Sequence, residues 1–147
     1  MRWRMIDRIT RFEKWKSAEG KKTVSFEEYS LLHALGIDGF YPQTLALESC
    51  VELIRLVINR SSGFTQSSII SQVDEFSFSD PIGLGDVLSI SASIVTKDER
   101  TACSECRIDR DGKTVAAGRV TVELSSLEGI AERELTETIW EEAYDTL

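Results

Sequence analysis

The chain has 147 residues, 41% of them hydrophobic, enough to bury about two thirds of its surface around one core but too few for two domains of ordinary size. A formal charge of −8 opposes a nucleic-acid or anionic-lipid surface, because such binding depends on Lys and Arg neutralising phosphates. No run nears the roughly 20 apolar residues of a membrane span, and Met1-Arg2-Trp3-Arg4 leads into no signal-peptide core, so one domain over residues 1–147, in the cytoplasm, is expected.

Residues 3–15 mix Trp, Met, Ile and Phe with Arg, and Lys21-Lys22-Thr23-Val24-Ser25-Phe26 alternates. The pattern predicts a hairpin with Lys16-Ser17-Ala18-Glu19-Gly20 as its turn. Residues 27–41 hold Gly36, Asp38 and Gly39 among apolar side chains without a sustained period, as in a turn or short helix that enters a packed loop. From Gln43 to Asn59 strong helix formers follow Pro42, with Thr44 as a candidate cap and Ser61-Ser62-Gly63 as the stop. Ala46, Leu47, Cys50, Leu53, Ile54, Val57 and Ile58 recur at helical spacing, and Leu45, Val51 and Leu56 widen their face. This helix should be mostly buried.

Strand chemistry follows. Segments 68–73, 74–79, 86–95, 103–107 and 113–124 are rich in Val, Ile, Ser and Thr, and turn residues part them at Pro81-Gly85, Lys97-Arg100 and Asp109-Gly112. A helix that apolar needs a sheet to lie on, which makes the fold class α+β: a long central helix wrapped by an antiparallel β-sheet. Residues 129–147 read as an acidic amphipathic helix, with Ile130, Leu135, Ile139, Trp140 and Ala143 as its apolar positions, appended to a core over 1–128. Residues 1–22 carry eight Lys and Arg against three acids, while residues 123–147 carry eight acids against Arg133. The two ends should attract each other or each other's copies. Cys50, Cys103 and Cys106 are odd in number, so disulfide stapling does not organise the fold. Cys103 and Cys106 have a metal-like spacing but no second pair, and a strand would splay them to opposite faces. No metal and no redox cofactor are expected.

Three segments resemble the hotdog-fold family of 3-hydroxyacyl-(acyl-carrier-protein) dehydratases: Met5-Ile6-Asp7-Arg8-Ile9, the stretch from His33 through Pro42 to Glu48, and Phe76 to Asp86 with Pro81 and Gly85. The resemblance runs in order over residues 3–124. It implies a hotdog fold and elimination of water from a 3-hydroxyacyl thioester to give a trans-2-enoyl thioester, in fatty acid or related acyl-chain biosynthesis. It also implies a homodimer, or a higher oligomer of dimers, with the acyl group carried on acyl-carrier protein or coenzyme A. By matching position, His33 is the base and Glu48 the acid, contributed by opposite subunits. The backbone N–H groups of Gln43 and Thr44 would hold the thioester oxygen, as helix N-termini stabilise a developing enolate, and Gly39, Tyr41 and Pro42 would border the substrate.

The residues keep other readings open. His33 and Glu48 are 15 apart, the loop reads His33-Ala34-Leu35-Gly36 without the family's Pro, and Gln43 stands where the family has Gly. One alternative is a hotdog thioesterase, with Glu48 or Asp38 activating water. Another is a non-catalytic acyl-binding or partner subunit. On the residues alone, His33 suits a structural histidine, and Glu48 shares a solvated stripe with Glu52, Arg55 and Asn59, with Glu52 and Arg55 paired. Arg2, Arg4, Arg8 and Arg11 would steer an acidic carrier protein or balance the acidic tail.

Overall fold

The apolar helix after Pro42 decides the architecture. A computed structural model describes residues 4–37 and 39–144, and in it this helix, α2, spans Gln43–Ser61 with Ala46, Cys50, Leu53, Ile54, Val57 and Ile58 buried. Fully burying a side chain such as Leu or Ile stabilises by roughly 1.5–3 kcal/mol, so the helix must be covered along most of its length. Six strands cover it: β1 (Arg8–Glu13), β2 (Ser17–Thr23), β3 (Gln66–Phe78), β4 (Val87–Lys97), β5 (Thr101–Arg110) and β6 (Lys113–Ser126). They form one antiparallel sheet in the order β1-β2-β4-β5-β6-β3. The chain leaves β2, runs through α1 (Phe26–Ala34) and α2, and starts again at the far edge. This is the hotdog arrangement, an α+β fold.

Strand alternation supplies the floor. In β4, Leu88, Ile90 and Ala92 are buried and their neighbours half-buried or exposed; in β5, Ala102, Ser104, Cys106 and Ile108 are buried. Period-2 placement sends Cys103 to the other face, half-buried, as its spacing from Cys106 requires. Cys106 meets Cys50 of α2, and the Cys50 thiol is pushed up by its hydrogen bond with Cys106 and then by burial.

Several expectations are corrected. The first hairpin turns at Lys14–Lys16 rather than 16–20, with Trp15 at φ 55°. Ser17 to Gly20 lie in β2, where a Cβ on Gly20 would stand 3.0 Å from the Arg8 carbonyl oxygen. Segments 68–73 and 74–79 are one strand, β3, bent by register shifts and by Glu75 at φ 51°: a bulge rather than a break. Thr44 does not cap α2. Pro42 takes that position, without a side-chain hydrogen bond.

The acidic C-terminal segment forms a 3-10 turn (Leu127–Gly129) and α3 (Arg133–Tyr144). It faces the core with Thr136, Trp140 and Ala143, whereas Ile130 and Leu135 are exposed. Trp140 meets Phe12 of β1 edge to face at 5.0 Å, and Arg4 pairs with Glu142 at 3.4 Å. The opposite charges of the two ends thus meet within one chain; Arg2 lies outside the described residues. Among the described residues, no helix is long and apolar enough to cross a membrane.

Candidate active site

Helix α2 begins without a side-chain cap. The first backbone donors with acceptors are Leu45 and Ala46, both to the Pro42 carbonyl at 3.0 and 3.2 Å. Among the described residues, the N–H groups of Gln43 and Thr44 have no protein acceptor, and both residues are exposed. Such a helix end offers donors and a partial positive charge to an oxygen that gains negative charge. Glu48 stands four and five residues along, about 6–8 Å in axial rise. It is half-buried and makes no hydrogen bond or ion pair among the described residues. Glu52 is occupied by contrast, because Arg55 Nη1 donates to it, the i, i+3 pair the sequence suggested.

A contact with a braced loop holds the helix start in place. The N–H of the buried Tyr41 donates to the Ile82 carbonyl at 2.7 Å, tying Pro42 to the 79–86 loop. That loop is tied down in turn: Arg110 Nη1 donates to the Pro81 carbonyl at 2.6 Å and to Asp86 Oδ2 at 2.8 Å, and Asp86 Oδ2 also accepts from Gly83 N at 2.8 Å. The hydrogen bond to Asp86 holds the Arg110 guanidinium above its ordinary value. In the sequence Arg110 carries no signal of this role, since it sits among turn residues Asp109-Arg110-Asp111-Gly112. Nothing in the local pattern gives its reach across the sheet end.

His33 is placed differently. It lies exposed in the last turn of α1, its ring stacked on Tyr29 with centroids 6.5 Å apart. Loop 35–42 separates it from Glu48, with exposed Gly39 at φ +94°. Within one chain, Pro42, Gln43, Thr44 and Glu48 thus share one helix end, Tyr41 buttresses it, and His33 belongs to another element. Asp38 lies outside the described residues. Among the described residues, no group of three His, Cys, Asp or Glu side chains is placed to hold a metal.

No protein-family model matches this chain, and no curated protein sequence does. Solved structures do match in shape. A hot-dog-like protein from Thermanaerovibrio acidaminovorans aligns with TM-score 0.64 at 17% identity, over 88% of this chain and 92% of its own. The smu.793 protein of Streptococcus mutans UA159, bound to acetyl CoA, aligns with TM-score 0.64 at 18% identity, over 81% and 88%. A hypothetical thioesterase with coenzyme A from Streptococcus pneumoniae TIGR4 gives TM-score 0.64 at 16% identity, over 80% and 87%. At such identities the likeness shows the fold.

Proposed function

We propose that this chain is a hotdog acyl-thioester hydrolase that works as a cytoplasmic homodimer on acyl groups carried by coenzyme A or acyl-carrier protein. The observation that carries the reading is the uncommitted carboxylate of Glu48 one turn inside an uncapped helix end. In this reading Glu48 takes a proton from water as the water oxygen attacks the thioester carbonyl carbon. The carbonyl oxygen becomes anionic and is held by the N–H groups of Gln43 and Thr44. The C–S bond then breaks, and the leaving thiolate takes the proton back from Glu48. Two of the neighbours carry acetyl CoA or coenzyme A, and one of them is described as a thioesterase, which supports this chemistry over dehydration. The dehydratase that the sequence resembles needs His33 as a base as well.

The dimer is part of the proposal. Among the described residues, β3 is a sheet edge paired only with β6, and Ile69, Ile70 and Val73 on it are 49%, 41% and 39% exposed. An edge strand that apolar calls for a covering partner. A second copy of β3 would complete the sheet.

A panel of acyl-CoA and 3-hydroxyacyl-CoA thioesters tests the reading by free-thiol release and enoyl absorbance. Thiol release by the wild type, kept in His33→Ala and reduced on the order of 10²–10⁴-fold in Glu48→Gln, is expected. Enoyl formation that depends on His33 would establish the dehydratase instead. Thioester binding without either product would point to an acyl-binding subunit.

A further inference from the structure

Along α2, Glu48, Glu52 and Leu56 recur every four residues and so share one stripe. The stripe ends in a groove of about 370 Å³ between α2, the first half of β3 and the C-terminal segment, walled by Leu56, Ile70, Leu127, Ile130, Thr136 and Ile139. The Glu52–Arg55 ion pair lies at its border, so a chain passing from Glu48 meets no net charge there. A second hollow of about 240 Å³ adjoins it, lined by Met5, Ile6, Ala143 and the paired Arg4 and Glu142. Glu52, Leu56 and Ile139 line both spaces. Ile139 of α3, set against Leu56, is therefore the partition between them.

We infer that this groove seats the acyl chain of the substrate and that Ile139 sets its length limit. The inference rests on the acyl-thioester reading. Eight residues of α2 separate Glu48 from Leu56, about 12 Å of rise. An extended chain advances about 1.2 Å per bond, so a chain whose thioester sits beside Glu48 reaches the partition after about ten bonds. The groove volume lies at the small end of the roughly 300–1,000 Å³ typical of ligand sites, which suits one chain of that length. Its walls are mainly aliphatic, as such a chain requires. The selector comes from the C-terminal helix, so the element that looked like an appendage takes part in specificity.

The test compares wild type, Ile139→Ala and Ile139→Trp, with Ile130→Trp as a second groove variant in case α3 tolerates no bulk at 139. Thiol release is measured over saturated acyl-CoAs from two to sixteen carbons, and the readout is the ratio of long-chain to short-chain rates. Wild-type rates should fall steeply beyond about ten carbons. Ile139→Ala, which opens the second hollow, should raise the ratio at least fivefold and move the limit up by two or more carbons. Either Trp variant should lower the ratio at least fivefold. An unchanged length profile in the Ala variant and in whichever Trp variant folds would overturn the inference. So would a change in sedimentation coefficient without a change in profile, since the groove would then seat a second copy. A wild type without turnover would sink the hydrolase reading alone, and displacement of a fluorescent fatty acid then decides the groove. Chain binding lost in the Trp variants keeps the inference, and binding unaltered in them ends it.

Discussion

Arg110, at the end of β5, donates through Nη1 to Asp86 Oδ2 at 2.8 Å while the same nitrogen reaches the Pro81 carbonyl at 2.6 Å. One side chain thereby holds both ends of the loop whose Ile82 carbonyl accepts from Tyr41 N at 2.7 Å at the head of α2. Arg110→Ala should leave the sheet intact and loosen the helix start, where the thioester oxygen is to be held. We expect kcat to fall on the order of tenfold or more with KM changed less, because small misplacements of a reacting group are costly. Lys at this position should restore activity in part, since one ammonium nitrogen can also donate to both oxygens but from a shorter side chain. Steady-state kinetics alongside circular dichroism check the expectation.

Lys22 and Glu28 form the most buried ion pair among the described residues. Lys22 Nζ lies 2.5 Å from Glu28 Oε1 and also donates to the Arg4 carbonyl; its side chain is fully buried and that of Glu28 nearly so. The pair ties β2 to the first turn of α1, the helix that carries His33, where Ser25 accepts from Glu28 N at 3.2 Å. Lys22→Met leaves the carboxylate buried without its partner and should cost about 3–5 kcal/mol. The double variant Lys22→Met, Glu28→Leu should recover most of that loss, since an apolar pair strands no charge. Urea denaturation of the four proteins of this cycle measures it, and a double variant no more stable than Lys22→Met would contradict it.

The edge of β3 makes a separate prediction. Val73→Lys, outside the acyl groove, places charge on the surface proposed for the dimer, the device by which natural sheets keep their edges apart. The variant should sediment as a monomer, keep its far-ultraviolet spectrum and lose thiol-release activity. A variant that remains dimeric would refute this edge as the interface.

What the sequence made legible follows from the range of the forces involved. The face of α2 is a local pattern, so Ala46, Cys50, Leu53 and Ile54 were readable as core from spacing alone, and β4, β5 and β6 from their alternation. Composition divides β3 into two segments because the positive φ of Glu75 leaves no mark in it. The turn at Trp15 was displaced for a related reason: polar Ser17 and Glu19 look like turn residues, yet Gly20 is required in the strand by the backbone that lies over it. The resemblance to a dehydratase family directs attention to Glu48 and the start of α2, but the local pattern there suggests a Thr44 cap that the helix does not have. The Arg110 tie was not legible, because it joins residues 24 apart in sequence to Asp86 through geometry that only the closed sheet supplies.

Gly118 on β6 illustrates the same closeness. A Cβ there would stand 2.4 Å from Phe76 Cα and 2.6 Å from its ring, so the bulged part of β3 lies directly on the glycine. Backbone cannot yield as a flexible side chain can. Gly118→Ala should therefore cost about 3 kcal/mol, the upper part of the range for overpacking, with a larger loss for Val. Thermal and urea unfolding will show it, and a Gly118→Ala protein as stable as wild type would mean that the bulge can lift away.

The three thiols should react in an order set by their faces. Cys103 is half-buried on the outer face, while Cys50 and Cys106 meet in the core, so a disulfide-exchange reagent should modify one thiol quickly in the native protein and all three only after unfolding. The raised Cys50 value gives the accompanying pH effect its sign. Above the ordinary thiol value of 9.0 the unfolded chain releases this proton while the folded chain keeps it. The native state then binds more protons, and stability declines as pH rises. This contribution is fully present below about pH 9 and lost progressively above it. In Cys50→Ala the decline should be shallower, even though removal of the thiol lowers stability at neutral pH. Urea midpoints taken from pH 7 to 10.5 decide it, and parallel declines in the two proteins would place the alkaline loss elsewhere.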